Sequence, residues 1–223
     1  MANHLDLEEQ EQLDQLKHFW NAWGNTISSV ALAVAVALAG WNGYQFWQGR
    51  QAGQAAALLD TIDAATVAQD SARLEQAFSD MRSKFAGTTQ AGLAGLAVAK
   101  AASAAGNAAL AKAALTWVAD NARDDGHQAL ARLRLSALLM EEKAYDEALK
   151  QLSSPMAPEY TALVADRKGD VLLQQGKTQE AAEEYARAWS AFQDAAEYRR
   201  LVEIKLNALG QQPKMPATAE VAK

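Results

Sequence analysis

Hydrophobic and polar positions divide the chain into two regimes. Between Lys17 and Arg50 there is no Asp, Glu, Lys or Arg, and within that window the run from Ile27 to Trp47 is apolar on all sides. Its 21 residues make a helix about 31 Å long, the thickness of a bilayer core. It lacks the single apolar stripe of a surface helix. Beyond Arg50 the pattern changes to apolar residues three and four apart, broken by short polar or glycine-containing turns. That spacing predicts a series of amphipathic helices.

Three readings of the apolar run compete: a membrane span, a cleaved signal peptide and a buried helix of a soluble domain. Trp20 and Trp23 sit at one end and Trp41, Tyr44 and Trp47 at the other, as interfacial aromatic belts do. For cleavage, Ala37-Leu38-Ala39 has the small-residue form of a signal-peptidase site. Against it, the lead-in is long and carries Asp6, Glu8, Glu9, Glu11 and Asp14 against Lys17, where a signal peptide has a short basic start. The span is the favoured reading. Its driving force is modest: Ile27, Val30, Leu32, Val34, Val36 and Leu38 together supply roughly −2 to −3.5 kcal/mol, partly offset by Ser28, Ser29 and Asn42. Ser29, Ala33, Ala37, Gly40 and Gly43 form a candidate packing face against another membrane helix, since small side chains permit close approach. Helix propensity alone also explains the alanines. Lys17 on one flank and Arg50 on the other leave orientation tied by charge. Ahead of the span, Leu13, Leu16, Trp20 and Trp23 share one helix face suited to a membrane surface.

After Arg50, residues 51–70 predict a helix leading away from the bilayer. Residues 70–87 predict a second, ended by Gly87, and the two form a first helical hairpin. From residue 90 a repeat emerges. Ala111, Ala148 and Ala181 align, at steps of 37 and 33 residues. Twelve positions upstream lie Ala99, Ser136 and Gly169, and nine upstream lie Ala102, Leu139 and Leu172. Four positions downstream lie Leu115, Leu152 and Tyr185. Gly106-Asn107, Lys143-Ala144 and Gly176-Lys177 occupy the turns. The pattern resembles the tetratricopeptide repeat, a helix–turn–helix of about 34 residues, rather than a plain helical bundle. It departs from that repeat early in each first helix, where Gly95, Arg132 and Ala165 replace the usual aromatic. Residues 189–210 predict a terminal capping helix stopped by Gly210, followed by a disordered tail over 211–223.

Composition narrows the functional classes. Net charge is −6 and no block of Lys and Arg stands out, which disfavours nucleic acid as a partner. The absence of cysteine excludes disulfides and thiolate metal sites. His4, His18 and His127 do not pair at metal-ligand spacing, and there is no glycine-rich phosphate loop or nucleophile elbow. Asp124, Asp125 and His127 are the one polar cluster that invites a catalytic reading, but Asp-Asp-Gly reads first as a loop and helix start. No catalytic residue, metal site or cofactor is expected, and the chain is read as a non-enzyme.

In tetratricopeptide arrays the first helix of each pair lines a concave groove. Transferring that register selects Leu93, Leu96 and Lys100; Leu130, Leu133 and Met140; and Leu163, Asp166, Asp170 and Leu173 as groove residues. Their share of Leu and Met favours an apolar peptide or a partner helix, and packing between repeats is the competing role for each.

The whole layout is similar to a known family. The pre-span LDQLKHFWNAWGN, the span ending GWNGYQFWQ, the segment AGLAGLAVAKAASAAGNAALAKAAL, the stretch YTALVADRKGDVLLQQGKTQEAAEEYARA and the closing VEIKLNAL resemble the ancillary SecYEG translocon subunits of Gram-negative bacteria. LVADRKGDVLLQQGKTQEA is the most specific part. The resemblance implies an inner-membrane protein with a cytoplasmic N-terminus and a periplasmic tetratricopeptide-like domain. It further implies association with SecYEG and with a membrane-anchored periplasmic chaperone of peptidyl-prolyl isomerase type, in non-catalytic service of newly exported polypeptides. The expected architecture is all-α. It comprises an acidic tail and amphipathic helix over 1–24, a transmembrane helix over 25–48, a tetratricopeptide-like helical domain over 49–210 and the tail. The alternative is an envelope-assembly or division scaffold that shares only the fold.

Overall fold

The computed structural model describes residues 7–192 and 196–212. The start of the expected acidic tail and residues 213–223 of the expected disordered tail lie outside the described residues. Among the described residues every regular element is helical: α1 (Leu7–Val67), α2 (Ser71–Lys84), α3 (Thr89–Ala104), α4 (Ala108–Asn121), α5 (Asp125–Glu141), α6 (Tyr145–Leu152), α7 (Thr161–Gln174), α8 (Thr178–Ala191) and α9 (Ala196–Ala208). A 3-10 turn at Pro158–Tyr160 leads into α7. The chain divides into two compact units, Met1–Gln51 and Ala52–Lys223.

In the first unit the apolar side chains of α1 are exposed, Leu32 by 67%. That exposure removes the soluble-core reading of the segment. A buried core helix would have hidden these side chains. The helix is long and apolar enough to cross a membrane. Its polar side chains bond within the helix: Ser29 Oγ donates to the Asn25 carbonyl at 2.8 Å and Asn42 Nδ2 to the Leu38 carbonyl at 2.9 Å. Hydrocarbon offers polar groups no partner, so these internal bonds lower the cost of carrying Ser and Asn through it. Trp20 lays its indole over Gly24, where an added Cβ would stand 3.0 Å from Cε2.

The second unit is an array of helix pairs. The segment 52–67 of α1 buries Ala55, Ile62 and Ala65, with Leu58 and Leu59 packed beside them, in one cluster with Leu74, Ala77, Phe78 and Met81 of α2. This is the first hairpin expected from the sequence. Its stop differs from expectation: α2 ends at Lys84, and Phe85 donates its N–H to the Met81 carbonyl, with no use of Gly87. Phe85 packs on the core and so fixes the exit of the chain. The terminal helix also differs. Trp189 belongs to α8, which runs to Ala191, and α9 begins at Ala196.

Each first helix ends in the same way. Gln69, Gly106, Lys143, Gly176 and Gly210 have φ between 54° and 77°. The N–H after each reaches the carbonyl five residues back: Asp70 to Ala65, Asn107 to Ala102, Ala144 to Leu139, Lys177 to Leu172 and Gln211 to Leu206, at 2.8–3.0 Å. These are Schellman stops, which satisfy carbonyls that the helix end would leave open. Their recurrence about every 34 residues defines the repeat physically. It extends the sequence repeat by one pair at the start and gives α9 the stop of a first helix.

The predicted small positions lie where helices meet. Ala99, Ser136 and Gly169 are buried, as are Ala111, Ala148 and Ala181 on the paired helices. At Gly169 a Cβ would lie 2.5 Å from Tyr185 Cε1, so glycine is what admits the tyrosine ring. At Gly95 a Cβ would overlap the Val118 side chain. The space usually held by an aromatic from the first helix is here filled by Phe78 of α2, edge-on to Trp117 of α4 with centroids 5.8 Å apart. Two buried clusters result, one over 55–171 and one over 162–206, and Leu149 packs against both.

Gln69 and Lys143 are the two stops that carry a side chain on a left-handed backbone. Left-handed φ costs a side-chain-bearing residue about 1–2 kcal/mol, and the extra unfolded-state freedom of glycine returns about 0.5–1 kcal/mol of that. Lys143→Gly is therefore expected to stabilise the repeat unit by about 0.5–1 kcal/mol, and Gly106→Ala to destabilise it by a similar amount. Thermal unfolding followed by circular dichroism checks both, and a lowered Tm for Lys143→Gly refutes the assignment.

Candidate functional site

The first helices stand beside one another, α3 touching α5 and α5 touching α7, so their free sides form one face. Of the residues predicted for it, Leu93 and Leu173 are open, 43% and 39% exposed, and Lys100 is exposed. Leu130, Leu133 and Met140 are half-buried and rest on the first core cluster, and Leu163 rests on the second. Leu96 is corrected: at 7% exposure it is a core residue, drawn in because Ala91, Ala94 and Gly95 bring neighbouring helices close to α3. The expected groove thus has two open leucines at its ends and a row of half-buried apolar side chains between them.

Asp166 and Asp170 are not free acceptors. Lys205 of α9 donates to Asp166 Oδ1 and to Asp170 Oδ1, each at 2.7 Å. The Tyr185 hydroxyl donates to the same Asp170 oxygen at 2.8 Å, and Arg167 reaches Asp170 Oδ2 at 3.4 Å. Lys205 also stands 5.2 Å from the centre of the Tyr185 ring. Burial pushes the Asp166 carboxyl above the usual carboxylate range, against the hydrogen bond from Lys205. Burial and the neighbouring Asp170 carboxylate together push the Tyr185 hydroxyl far up, which holds it as a donor. The cluster fastens the last helix to α7 and α8. Sequence register placed the two aspartates on the face but could not supply the partner, which lies 35 and 39 positions away.

Two further polar groups stand out, Arg132, which sequence left without a role, and the Asp124-Asp125-Gly126 turn, which sequence reads as a helix start. Arg132 stands where an aromatic was expected. Its guanidinium donates to the Ala119 carbonyl in the last turn of α4 at 2.7 Å, and to Gln151 Oε1 and Ser154 Oγ at 3.2 Å. An arginine at an otherwise small or aromatic register position was the only signal. The Asp124-Asp125-Gly126-His127 turn is a helix start: Asp124 Oδ1 accepts from the His127 N–H at 2.9 Å, and Asp125 is exposed. The His127 ring lies on Gly92, where a Cβ would be 2.7 Å from Nδ1. No group of three metal-competent side chains occurs among the described residues.

Of the expected packing face in the apolar helix, Ser29, Ala33, Ala37, Gly40 and Gly43 are exposed, and an added Cβ at either glycine would meet nothing within 4 Å.

A long apolar helix near the N-terminus, followed by paired helices with Schellman stops and small-residue crossings, defines a tetratricopeptide-like protein with a candidate membrane anchor. The tetratricopeptide repeat-like domain family matches residues 17–211. A protein from Neisseria gonorrhoeae named ancillary SecYEG translocon subunit is 33% identical over 94% of this chain and 100% of its own length. A protein of the same name from Haemophilus influenzae is 30% identical over 76% of this chain and 83% of its own. The chain belongs to the ancillary SecYEG translocon subunit family.

The lysine-centred cluster has a pH signature. Without Lys205, Asp166 loses its hydrogen-bonded cation and Asp170 keeps only Arg167 and Tyr185, so Lys205→Met is expected to cost about 2 kcal/mol at neutral pH. A carboxyl whose folded pKa is raised contributes stability that is full below the ordinary carboxylate range and lost as pH rises through the raised value. The deficit of Lys205→Met is accordingly expected to shrink between about pH 7 and pH 4. Urea unfolding at the two pH values measures it, and a pH-independent deficit argues against the carboxylate pair.

Proposed function

We propose that this protein is a single-pass inner-membrane accessory of the SecYEG protein-export machinery, with its N-terminus cytoplasmic and its repeat unit periplasmic. In this reading the apolar helix holds the protein beside the channel through Ser29, Ala33, Ala37, Gly40 and Gly43. The repeat face carrying Leu93, Lys100, Leu130, Leu133, Met140, Leu163 and Leu173 scaffolds a membrane-anchored periplasmic chaperone of peptidyl-prolyl isomerase type, or holds newly translocated chains. The protein contributes surface and position rather than a reaction.

The observation that carries the reading is that likeness to a translocon subunit runs from the apolar helix through the last repeat, over the whole of the Neisseria relative. Exposed small residues on an apolar helix support the membrane contact, because lipid supplies no hydrophobic drive for helices to associate and close packing has to supply it. Two open leucines joined by half-buried ones support a peptide or helix as the occupant of the repeat face.

Two experiments test it. Copurification in mild detergent is expected to recover translocon and chaperone components, and a photo-crosslinker at residue 93 or 173 is expected to reach a chaperone or an exported chain. Leu93→Glu with Leu173→Glu should abolish that capture and retain helicity, since both side chains are exposed; capture that persists in the folded variant sinks the groove. Ala33→Leu, Ala37→Leu and Gly40→Leu together should leave the protein in the membrane and weaken translocon association. If association is unchanged, the helix is an anchor and nothing more. The chain has no cysteine, so single introduced cysteines can report the sidedness of each segment without background.

A further inference from the structure

On the face of the first helices, a cleft of about 310 Å³ opens between α3 and α5. Ala99 and Leu115, both buried, form its base, and Leu138 lines a side. Lys100, Arg134 and Glu141 stand around it. Lys100 and Arg134 are exposed, come from two different first helices, and have no ion-pair partner within 4.0 Å among the described residues. Glu141 borders the same cleft without bridging either of them. By contrast, Arg132 on α5 and Arg167 on α7 are each tied to an aspartate. In a chain of net charge −6, two unpaired cations set over an apolar base form a local reversal of sign.

We infer that the α3–α5 cleft binds a carboxylate-bearing peptide segment, with an apolar side chain seated on Ala99 and Leu115 and a neighbouring Asp or Glu between Lys100 and Arg134. The inference rests on the reading of the first-helix face as a peptide site and adds the chemistry of its ligand. At about 310 Å³ the cleft has room for an apolar side chain together with its acidic neighbour. The two cations discriminate by charge, because the acidic rest of the protein repels an anionic segment that approaches elsewhere. The site also predicts which exported or chaperone segments are favoured: those alternating an acidic and an apolar residue.

The test uses the full-length protein in detergent and two labelled peptides that differ only in charge, one alternating Leu with Glu and the other Leu with Gln. The Glu peptide is expected to bind about fivefold to tenfold more tightly at low ionic strength. Its advantage should fade at about 0.5 M salt, where the Debye length falls well below 8 Å. Lys100→Gln with Arg134→Gln should erase the advantage, so that the variant binds the Glu and Gln peptides equally. Lys100→Glu with Arg134→Glu should transfer the preference to a Leu–Lys peptide. Equal binding of the first two peptides, failure of both to bind, or a Glu preference that survives the double substitution overturns the cleft. Crosslinks from residues 93 and 173 report the wider face independently. If they capture partners and the peptides show no charge preference, the face stands and the cleft falls.

Discussion

The array depends on how closely two antiparallel helices can approach. Each pair crosses at residues with little or no side chain, Ala99, Ser136 and Gly169 on the first helix against Ala111, Ala148 and Ala181 on the second. Close approach leaves one large side chain per pair to fill the remaining space, Leu115, Leu152 or Tyr185. Size at one position then restricts size at the other. The tyrosine occurs only where the first helix offers glycine, because its ring occupies the volume a Cβ would need. A left-handed residue ends every first helix and reverses the chain within the few residues that such closeness leaves.

Local satisfaction of polar groups explains the departures from the repeat. Arg132 takes an aromatic position yet binds carbonyl and side-chain oxygens at the ends of α4 and α6, so its burial leaves a positive charge well supplied with acceptors. Lys205 does the same for α9, which packs Val202 and Leu206 into the cluster with α8 and is tied by charge to α7 as well. In α1 the serine and asparagine of the apolar stretch bond to the preceding turn. Each case supplies partners to most of the polar atoms from a different neighbour, though the Nε of Arg132 is buried without one.

What sequence could and could not reveal follows from the range of the forces involved. The apolar window, the aromatic brackets and the small-residue register are visible because they concern spacing along one helix or between consecutive helices. The first repeat, 52–67 with α2, was seen only as a hairpin, since Gln69 carries no glycine to mark its stop although its backbone is left-handed. Gly87 looked like a stop and was not one, because Phe85 had already been drawn onto the core. Leu96 looked like a surface residue in the transferred register, yet the glycine and alanines around it let neighbouring helices cover it.

Sequence alone therefore determined the class of fold, the long apolar helix and the repeat length. These rest on periodicity and on side-chain size, which are properties of neighbouring residues. Tertiary structure decided which polar groups are already spent and which remain open. Asp166 and Asp170 carry charges suited to a ligand but are paired with Lys205. Lys100, which the register places on the face, and Arg134, which it does not select, come to border one cleft. Whether a charge is available depends on what stands within about 4 Å of it. Distant parts of the chain supply that neighbour, so only the folded arrangement could answer it.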